Sequence, residues 1–509
     1  MIRAAVAFVL LASGLVACGD NGSSPKESSS PPDNQQIIDD QQIIDIQQIV
    51  AAVRDWSSPL PWEVCADLLE CSQFEVPYDY ANPDLGTFVL PVARHRADDP
   101  ANRIGTLLIN PGGPGGAALE WVGYVDQVFS KVIVDRFDIV AWDPRGVGAS
   151  NPSIDCVDRM DEYFALDPSP DDQSEIDSLV TGAKSFADAC VERSAGFLPY
   201  VGTVDAASDM DVLRRSLGEE EISYLGFSYG TKLGSTWATL FPETVRAAVL
   251  DAAVDPTRGY VDDLILQAGG FESSLDSFLE QCDSTTCSFM NTGEGASSAF
   301  DRIMLELDQS PIVNDQGRPA TNQGVAQTAV ADTLYGDYRW SELEDALSAA
   351  QGGDGQPLLL LFDDYFGRNS QGITDNSIDA YFAISCIDAD RPTTNDQILG
   401  LKQRLLAVAP RLGPGWIQEM LICANWSARP RGALAISAET RNRIVVVGST
   451  GDAATPLEGA INMVEALGRA RLVISPLDQH TTYGTDTCVT RIVDDYLVTL
   501  AEGPNTVNC

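Results

Sequence analysis

Ser228 stands in Gly226-Phe-Ser-Tyr-Gly230, where the short apolar run Ile222–Phe227 meets a helical pattern through Trp237 and Leu240. A serine held between two glycines at a strand-to-helix turn has its hydroxyl thrust clear of the backbone, the placement that acyl transfer requires of a nucleophile. In a chain with 42 glycines the five-residue pattern alone recurs by chance. The strand before it and the helix after it single this one out. A serine hydroxyl is a poor nucleophile near neutral pH and needs a base against it. The chain offers two histidines. His95, within Arg94-His95-Arg96, reads as a solvated hairpin end. His480 follows the last apolar run, Ala470–Ile474, by the short loop Ser475–Gln479, and is the expected base. Its far ring nitrogen needs a carboxylate to fix the tautomer and stabilise the imidazolium. Asp452, closing Val447-Gly-Ser-Thr-Gly-Asp452, is best placed, ahead of Asp251 and Asp255. Asp478 is too close in sequence to reach around the ring.

The oxyanion of the tetrahedral intermediate needs backbone donors. One is the N–H of Tyr229, directly after the nucleophile. The second comes from the Gly-rich run Asn110-Pro-Gly-Gly-Pro-Gly-Gly116, from Gly113 first and Gly112 as the alternative. As a phosphate cradle this run fails, having neither a Gly-Lys-Ser/Thr ending nor a GxGxxG spacing.

These residues sit at the ends of apolar runs that read as strands. Phe74–Pro77 and Thr87–Ala93 flank the turn Asn82-Pro-Asp84, and Ile104–Ile109 and Phe137–Trp142 are buried strands. A helix over Ala206–Leu217 precedes the elbow strand, and Val245–Asp251 follows the elbow helix. This rhythm predicts an α/β fold, a mainly parallel sheet with helices on both faces and its chemistry at the carboxyl ends of the strands. From 257 to 441 the rhythm gives way to helical patterns such as Ser341–Ala350 and Ile398–Val408, the mark of a large, mostly helical cap. Alternation returns with the strand Arg443–Gly448, the helix Pro456–Leu467 and the strand Ala470–Ile474. The core therefore spans 56–256 and 442–509, with the cap inserted before the last two strands.

Residues 1–18 read as an export signal: Arg3, the apolar stretch Ala4–Ala12, and Leu15-Val-Ala-Cys18, which resembles a lipobox with Cys18 as the expected acylation site, the alternative being a simple secretory signal with an incidental cysteine. Residues 19–55, with a six-residue near-repeat from Gln35 to Val50, read as a low-complexity tether beginning an ordered domain near Trp62. The expected location is the outer face of a bacterial cell membrane, reached through the lipid alone, or the medium. With 32 basic against 74 acidic residues, the net charge of −42 excludes charge-driven binding of nucleic acid or anionic lipid. Of eleven cysteines, ten remain once Cys18 is set aside, an even number for an oxidising compartment. Sequence spacing does not determine their connectivity. A sequential set would pair Cys65–Cys71, Cys156–Cys190, Cys282–Cys287, Cys386–Cys423 and Cys488–Cys509. A zinc site is a poor alternative without paired CxxC units, and no metal or cofactor is implied.

Together Asn110-Pro-Gly-Gly-Pro-Gly115, Trp142-Asp-Pro-Arg-Gly146, Gly226-Phe-Ser-Tyr-Gly-Thr231, Phe241-Pro242, Val249-Leu-Asp251, Gly451-Asp452 and Thr455-Pro456 resemble the secreted tripeptidyl aminopeptidases. These are a branch of the proline-iminopeptidase-like serine peptidases, which have the α/β-hydrolase fold. The resemblance runs from about Trp62 to Cys509, and the order Ser228, Asp452, His480 is that of this fold. Pro111 stands where the cytosolic proline iminopeptidases carry histidine, and His480 lacks the flanking glycine common in relatives. The resemblance implies cleavage of peptides near a free N-terminus, with release of tripeptides and with cap carboxylates binding the substrate ammonium. An esterase or lipase would use the same triad. A tethered binding protein that had lost activity is a third reading.

Overall fold

The computed structural model describes residues 50–509, apart from 54–55, 67, 195, 315–316, 389 and 429–433. Cys18, the signal segment and nearly all of the expected tether lie outside the described residues. Ten described strands form one sheet. They are β1 (Glu63–Ala66), β2 (Leu69–Pro77), β3 (Thr87–His95), β4 (Gly105–Asn110) and β5 (Phe137–Trp142). After these come β6 (Ile222–Phe227), β7 (Val245–Asp251), β8 (Ile444–Ser449), β9 (Ala470–Ser475) and β10 (Thr506–Asn508). The order is β1-β2-β3-β5-β4-β6-β7-β8-β9-β10. The pairs among β1, β2, β3 and β5 are antiparallel, and every pair from β5 to β10 is parallel.

The central strands are short apolar runs because both faces are covered, so alternate residues must each find an apolar layer. Leu107 and Ile109 of β4, Leu225 and Phe227 of β6, and Val445 and Val447 of β8 join one buried cluster with Ile133 and Val493. Their neighbours Leu108, Tyr224 and Val446 join a second cluster that continues into the cap. The predicted strands lie within a residue or two of those observed, except that β2 starts earlier, at Leu69. The short edge strands β1 and β10 carry no such apolar signal and were not anticipated.

Nine helices lie between β7 and β8 among the described residues. The single helix expected over Ile398–Val408 is two, Asn395–Leu399 and Lys402–Val408, separated at Gly400. The roof over the sheet also draws on a second excursion, between β5 and β6. There Tyr163 Oη donates to the Gln418 carbonyl at 2.6 Å, Gln418 Nε2 returns a bond to the Tyr163 carbonyl, and Asn322 Nδ2 reaches the Ala165 carbonyl. Val53, within the span expected to be tether, is fully buried in the larger core cluster. All five sequential disulfides are present. Cys386–Cys423 joins the cap helices Ser377–Asp388 and Gly413–Ala424, and Cys488–Cys509 ties the terminal strand to the helix Thr487–Thr499.

The Trp142–Gly146 motif turns out to brace the fold. Asp143 accepts from the amides of Ala118 and Ala149 at 2.8 and 2.9 Å. Arg145, with no exposed side-chain surface, clasps Asp209 of the helix Thr203–Ser216 through Nε and Nη2, at 2.7 and 2.5 Å. Tyr80 Oη adds a third bond to the same carboxylate. Deleting one member of a buried pair leaves the other charge uncompensated. Asp209→Ala is therefore expected to lose about 3–5 kcal/mol of stability, measured by denaturant unfolding; a loss below about 1 kcal/mol would contradict this account.

Candidate active site

Ser228 has φ 54° and ψ −123°, a conformation that costs an L-residue energy and that the strand and helix on either side enforce. The turn closes because its flanking residues lack Cβ atoms. A Cβ on Gly226 would lie 2.4 Å from the Gly230 carbonyl oxygen, and one on Gly230 would lie 2.8 Å from that of Asn110 on β4. The helix Tyr229–Leu240 starts at the next residue, so the Tyr229 N–H points from its first turn, where no intrahelical acceptor exists.

Every expected site residue lies just beyond the carboxyl end of a neighbouring parallel strand: Gly113 after β4, Ser228 after β6, Asp452 after β8 and His480 after β9. His480 Nδ1 lies 2.9 and 3.0 Å from the two Asp452 oxygens. Burial alone would lower the imidazole pKa, but the adjacent Asp452 carboxylate, with a smaller contribution from Asp251, raises it on balance. Asp452 is held in turn by the amides of Ala454 and Thr455, and by Thr455 Oγ1 at 2.9 Å. Thr455 Oγ1 also lies 3.3 Å from His480 Nδ1. The sequence marked Thr455 only as part of a motif, and its place between acid and base follows from the turn after β8.

The competing acids have other partners. Asp251 Oδ2 accepts from the amides of Thr482 and Tyr483 at 3.0 and 2.8 Å, while its backbone oxygen accepts from Ser228 N at 2.9 Å. The nucleophile turn and the histidine loop are thus fastened to one residue. Asp255 binds Arg258, Thr257 and Asn462, and Asp478 is exposed. No direct hydrogen bond joins Ser228 Oγ to His480 among the described residues, a contact that often tightens only with substrate in place. His95 is not solvated as expected. It is buried at the end of β3, separated from β6 by two strands, with Nε2 3.8 Å from Asp98 Oδ1.

The two oxyanion candidates on the Gly-rich loop separate clearly. Gly112 N donates to Asn110 Oδ1 at 3.0 Å, so that donor is spent. Gly113 lines the space above Ser228, which divides into chambers of about 380 and 180 Å³. Ser228, Gly113, Pro114, Gln267 and Tyr381 border both chambers. The larger is also lined by Phe271, Tyr335, Tyr365, Trp416 and Glu419. The arrangement can bring a carbonyl carbon to a serine hydroxyl beside a carboxylate-backed imidazole, with amides facing the developing oxyanion.

Fold and site define a serine hydrolase. The chain belongs to the α/β-hydrolase family: residues 105–363 match the model described as "alpha/beta hydrolase fold", and residues 409–509 match the one described as "TAP-like protein". Among its relatives, "Serine protease Hip1" of Mycobacterium tuberculosis is 33% identical over 454 residues, covering 86% of this chain and 87% of that one. "Carboxylesterase B" of the same species is 32% identical over 483 residues, 90% of each chain. "Tripeptidyl aminopeptidase" of Streptomyces coelicolor is 30% identical over 488 residues, 90% of this chain and 87% of the relative.

Ser228→Ala is expected to abolish covalent labelling by a fluorophosphonate. Asp452→Asn should lower kcat by about 10⁴-fold, the scale on which a base loses its correct tautomer. Asp251→Asn, whose amide oxygen can still accept from Thr482 and Tyr483, should lose far less. Steady-state kinetics on all three variants decide it, and the reverse ranking of the two aspartates would overturn the assignment.

Proposed function

We propose that this chain is a serine exopeptidase that cleaves peptides near a free N-terminus and releases tripeptides. Ser228 attacks the scissile carbonyl as His480 takes its proton, and Asp452 orients the ring and stabilises the imidazolium. The amides of Tyr229 and Gly113 receive the oxyanion. His480 then protonates the departing amine, and water releases the acyl group by the same steps in reverse.

The observation that carries the peptidase reading is Glu419. It projects from the helix Gly413–Ala424 into the chamber that Ser228 also lines, and no cation pairs with it among the described residues. Its one side-chain hydrogen bond among the described residues comes from Tyr381 Oη to Oε1, at 2.5 Å. Burial raises its pKa to about 7, the mark of a carboxylate lacking a counter-charge. A substrate ammonium would supply that charge. The relatives named tripeptidyl aminopeptidase support the same class of substrate, whereas the relative named carboxylesterase B supports an acyl-ester substrate.

Glu419→Gln should raise KM for a tripeptidyl anilide by about 10- to 100-fold, the worth of a hydrogen bond to a charged group. It should leave a short acyl ester and the N-blocked anilide unaffected. With wild-type enzyme, kcat/KM for the unblocked anilide should fall below pH about 7 as Glu419 gains a proton. It should also fall above pH about 8, where a terminal amine loses its charge. The ester should show only the acid limb that His480 imposes. Faster turnover of the blocked peptide or the ester than of the free peptide would favour the esterase reading.

We further propose export and anchoring through Cys18. Five disulfides support an oxidising compartment. No helix among the described residues is long and apolar enough to cross a membrane. Radiolabelled palmitate should enter the protein in bacterial culture and be lost in Cys18→Ala; equal labelling of both would sink the anchor.

A further inference from the structure

The cap does more than cover the site. Its segment Tyr335–Asp337 runs antiparallel to the histidine loop, with Gly336 bridged to Gln479. Two hydrogen bonds flank that pair: His480 N donates to the Tyr335 carbonyl at 2.8 Å, and Asp337 N donates to the Asp478 carbonyl at 3.0 Å. The Tyr335 ring meets the His480 ring edge-on, with centroids 5.5 Å apart and planes at 70°. Phe271 buttresses Tyr335 at 5.3 Å, and Trp416 buttresses Phe271 at 5.3 Å.

Apart from Gln479 Nε2 on the Thr481 carbonyl and Thr485 Oγ1, and Asp452 on the His480 ring, the loop has few other supports at this point. Leu477 is tied to the turn after β8 through Gly451 N, and Thr482 and Tyr483 are tied to Asp251. Between these anchors, the backbone hydrogen bonds of Asp478 and His480 go to the cap. Thr481, immediately after the histidine, is a β-branched residue at φ 63°. Such a conformation persists only where its surroundings fix the chain on both sides. Asp251 fixes one side, and the cap fixes the other.

We propose that Tyr335–Asp337 is a positioning element for His480, so that the cap completes the catalytic group as well as roofing it. This rests on His480 being the base. A cap that swung away would withdraw the carbonyl that holds His480 N and the ring that abuts the imidazole, and the base would lose its place.

Asp337 allows a test of one hydrogen bond by comparing two variants. Its side chain is exposed, it opens the short 3-10 turn Asp337–Arg339, and Gly336 before it is extended at φ −175° and ψ 146°. Proline suits that backbone and removes the N–H, at the cost of the carboxylate as well. Asp337→Ala keeps the N–H and is the matched control. Asp337→Pro is expected to lower kcat by about tenfold or more with KM little changed, as misplacing a catalytic group does. The second-order rate of labelling by a small fluorophosphonate should fall in parallel, and Asp337→Ala should keep both values. Tyr335→Ala, read by the labelling rate because this residue also lines the chamber, should show a similar drop. If Asp337→Pro keeps the melting temperature and labelling rate of Asp337→Ala, the proposal is overturned; should Asp337→Pro not fold, an unchanged labelling rate in Tyr335→Ala overturns it equally. His480→Ala that still reacts at the wild-type rate would instead remove the base assignment, a separate result.

Discussion

One aspartate holds the reacting groups in a common frame. The main-chain oxygen of Asp251 takes the hydrogen bond of Ser228 N, and its carboxylate takes those of Thr482 and Tyr483. Ser228 and His480, the proposed nucleophile and base, come from segments about 250 residues apart, with the cap between them. Without a shared anchor, their separation would depend on the summed tolerances of several strands and loops. Strand β7 borders β6 directly, and the loop that leaves β9 reaches across β8 to the end of β7, so Asp251 touches both turns. The carboxylate is buried for this purpose, and burial raises its pKa to about 6 even though two amides point at it. Proteins keep such costly groups where geometry matters more than stability.

Much of this frame was legible in the sequence because the sheet is buried on both faces. A strand covered on both sides must be apolar at every position, so Ile222–Phe227 and Val245–Asp251 announce themselves without any partner being known. The chemistry then falls at their carboxyl ends, which narrows 74 acidic residues to a handful. The scarcity of histidine did the rest. The disulfides follow the chain order: Cys65–Cys71 and Cys282–Cys287 close short local loops, Cys386–Cys423 joins two cap helices, and Cys156–Cys190 and Cys488–Cys509 each tie a helix to a nearby non-helical segment.

What stayed hidden depended on contacts between segments remote in sequence. Gly112 and Gly113 are equivalent on paper, and only the side chain of Asn110, folded back onto Gly112 N, separates them. Segment 153–200 reads as part of the core, yet Tyr163 and Gln418 bind each other reciprocally and make it part of the roof. His95 looks solvated between two arginines, but a strand alternates its faces. Arg94 pairs with Glu70 on one side while His95 is buried on the other. Glu419 carried no local signal at all, being one acid among many in an acidic chain. Its significance is a matter of what surrounds it.

The acids of the site differ most in how many donors each has been given. Asp452 accepts from two amides, a threonine hydroxyl and an imidazole, so its lone pairs are committed within the protein. Asp251 spends one oxygen on two amides of the histidine loop. Glu419 has a single tyrosine hydroxyl on Oε1, which leaves Oε2 without a protein donor among the described residues. A carboxylate saturated from inside can orient a neighbour but has little left for an incoming cation. One left half-satisfied inside a chamber bears a desolvation cost that an ammonium would offset. The proposed division between orienting, bracing and receiving acids thus rests on backbone and hydroxyl placement, with all three side chains chemically alike.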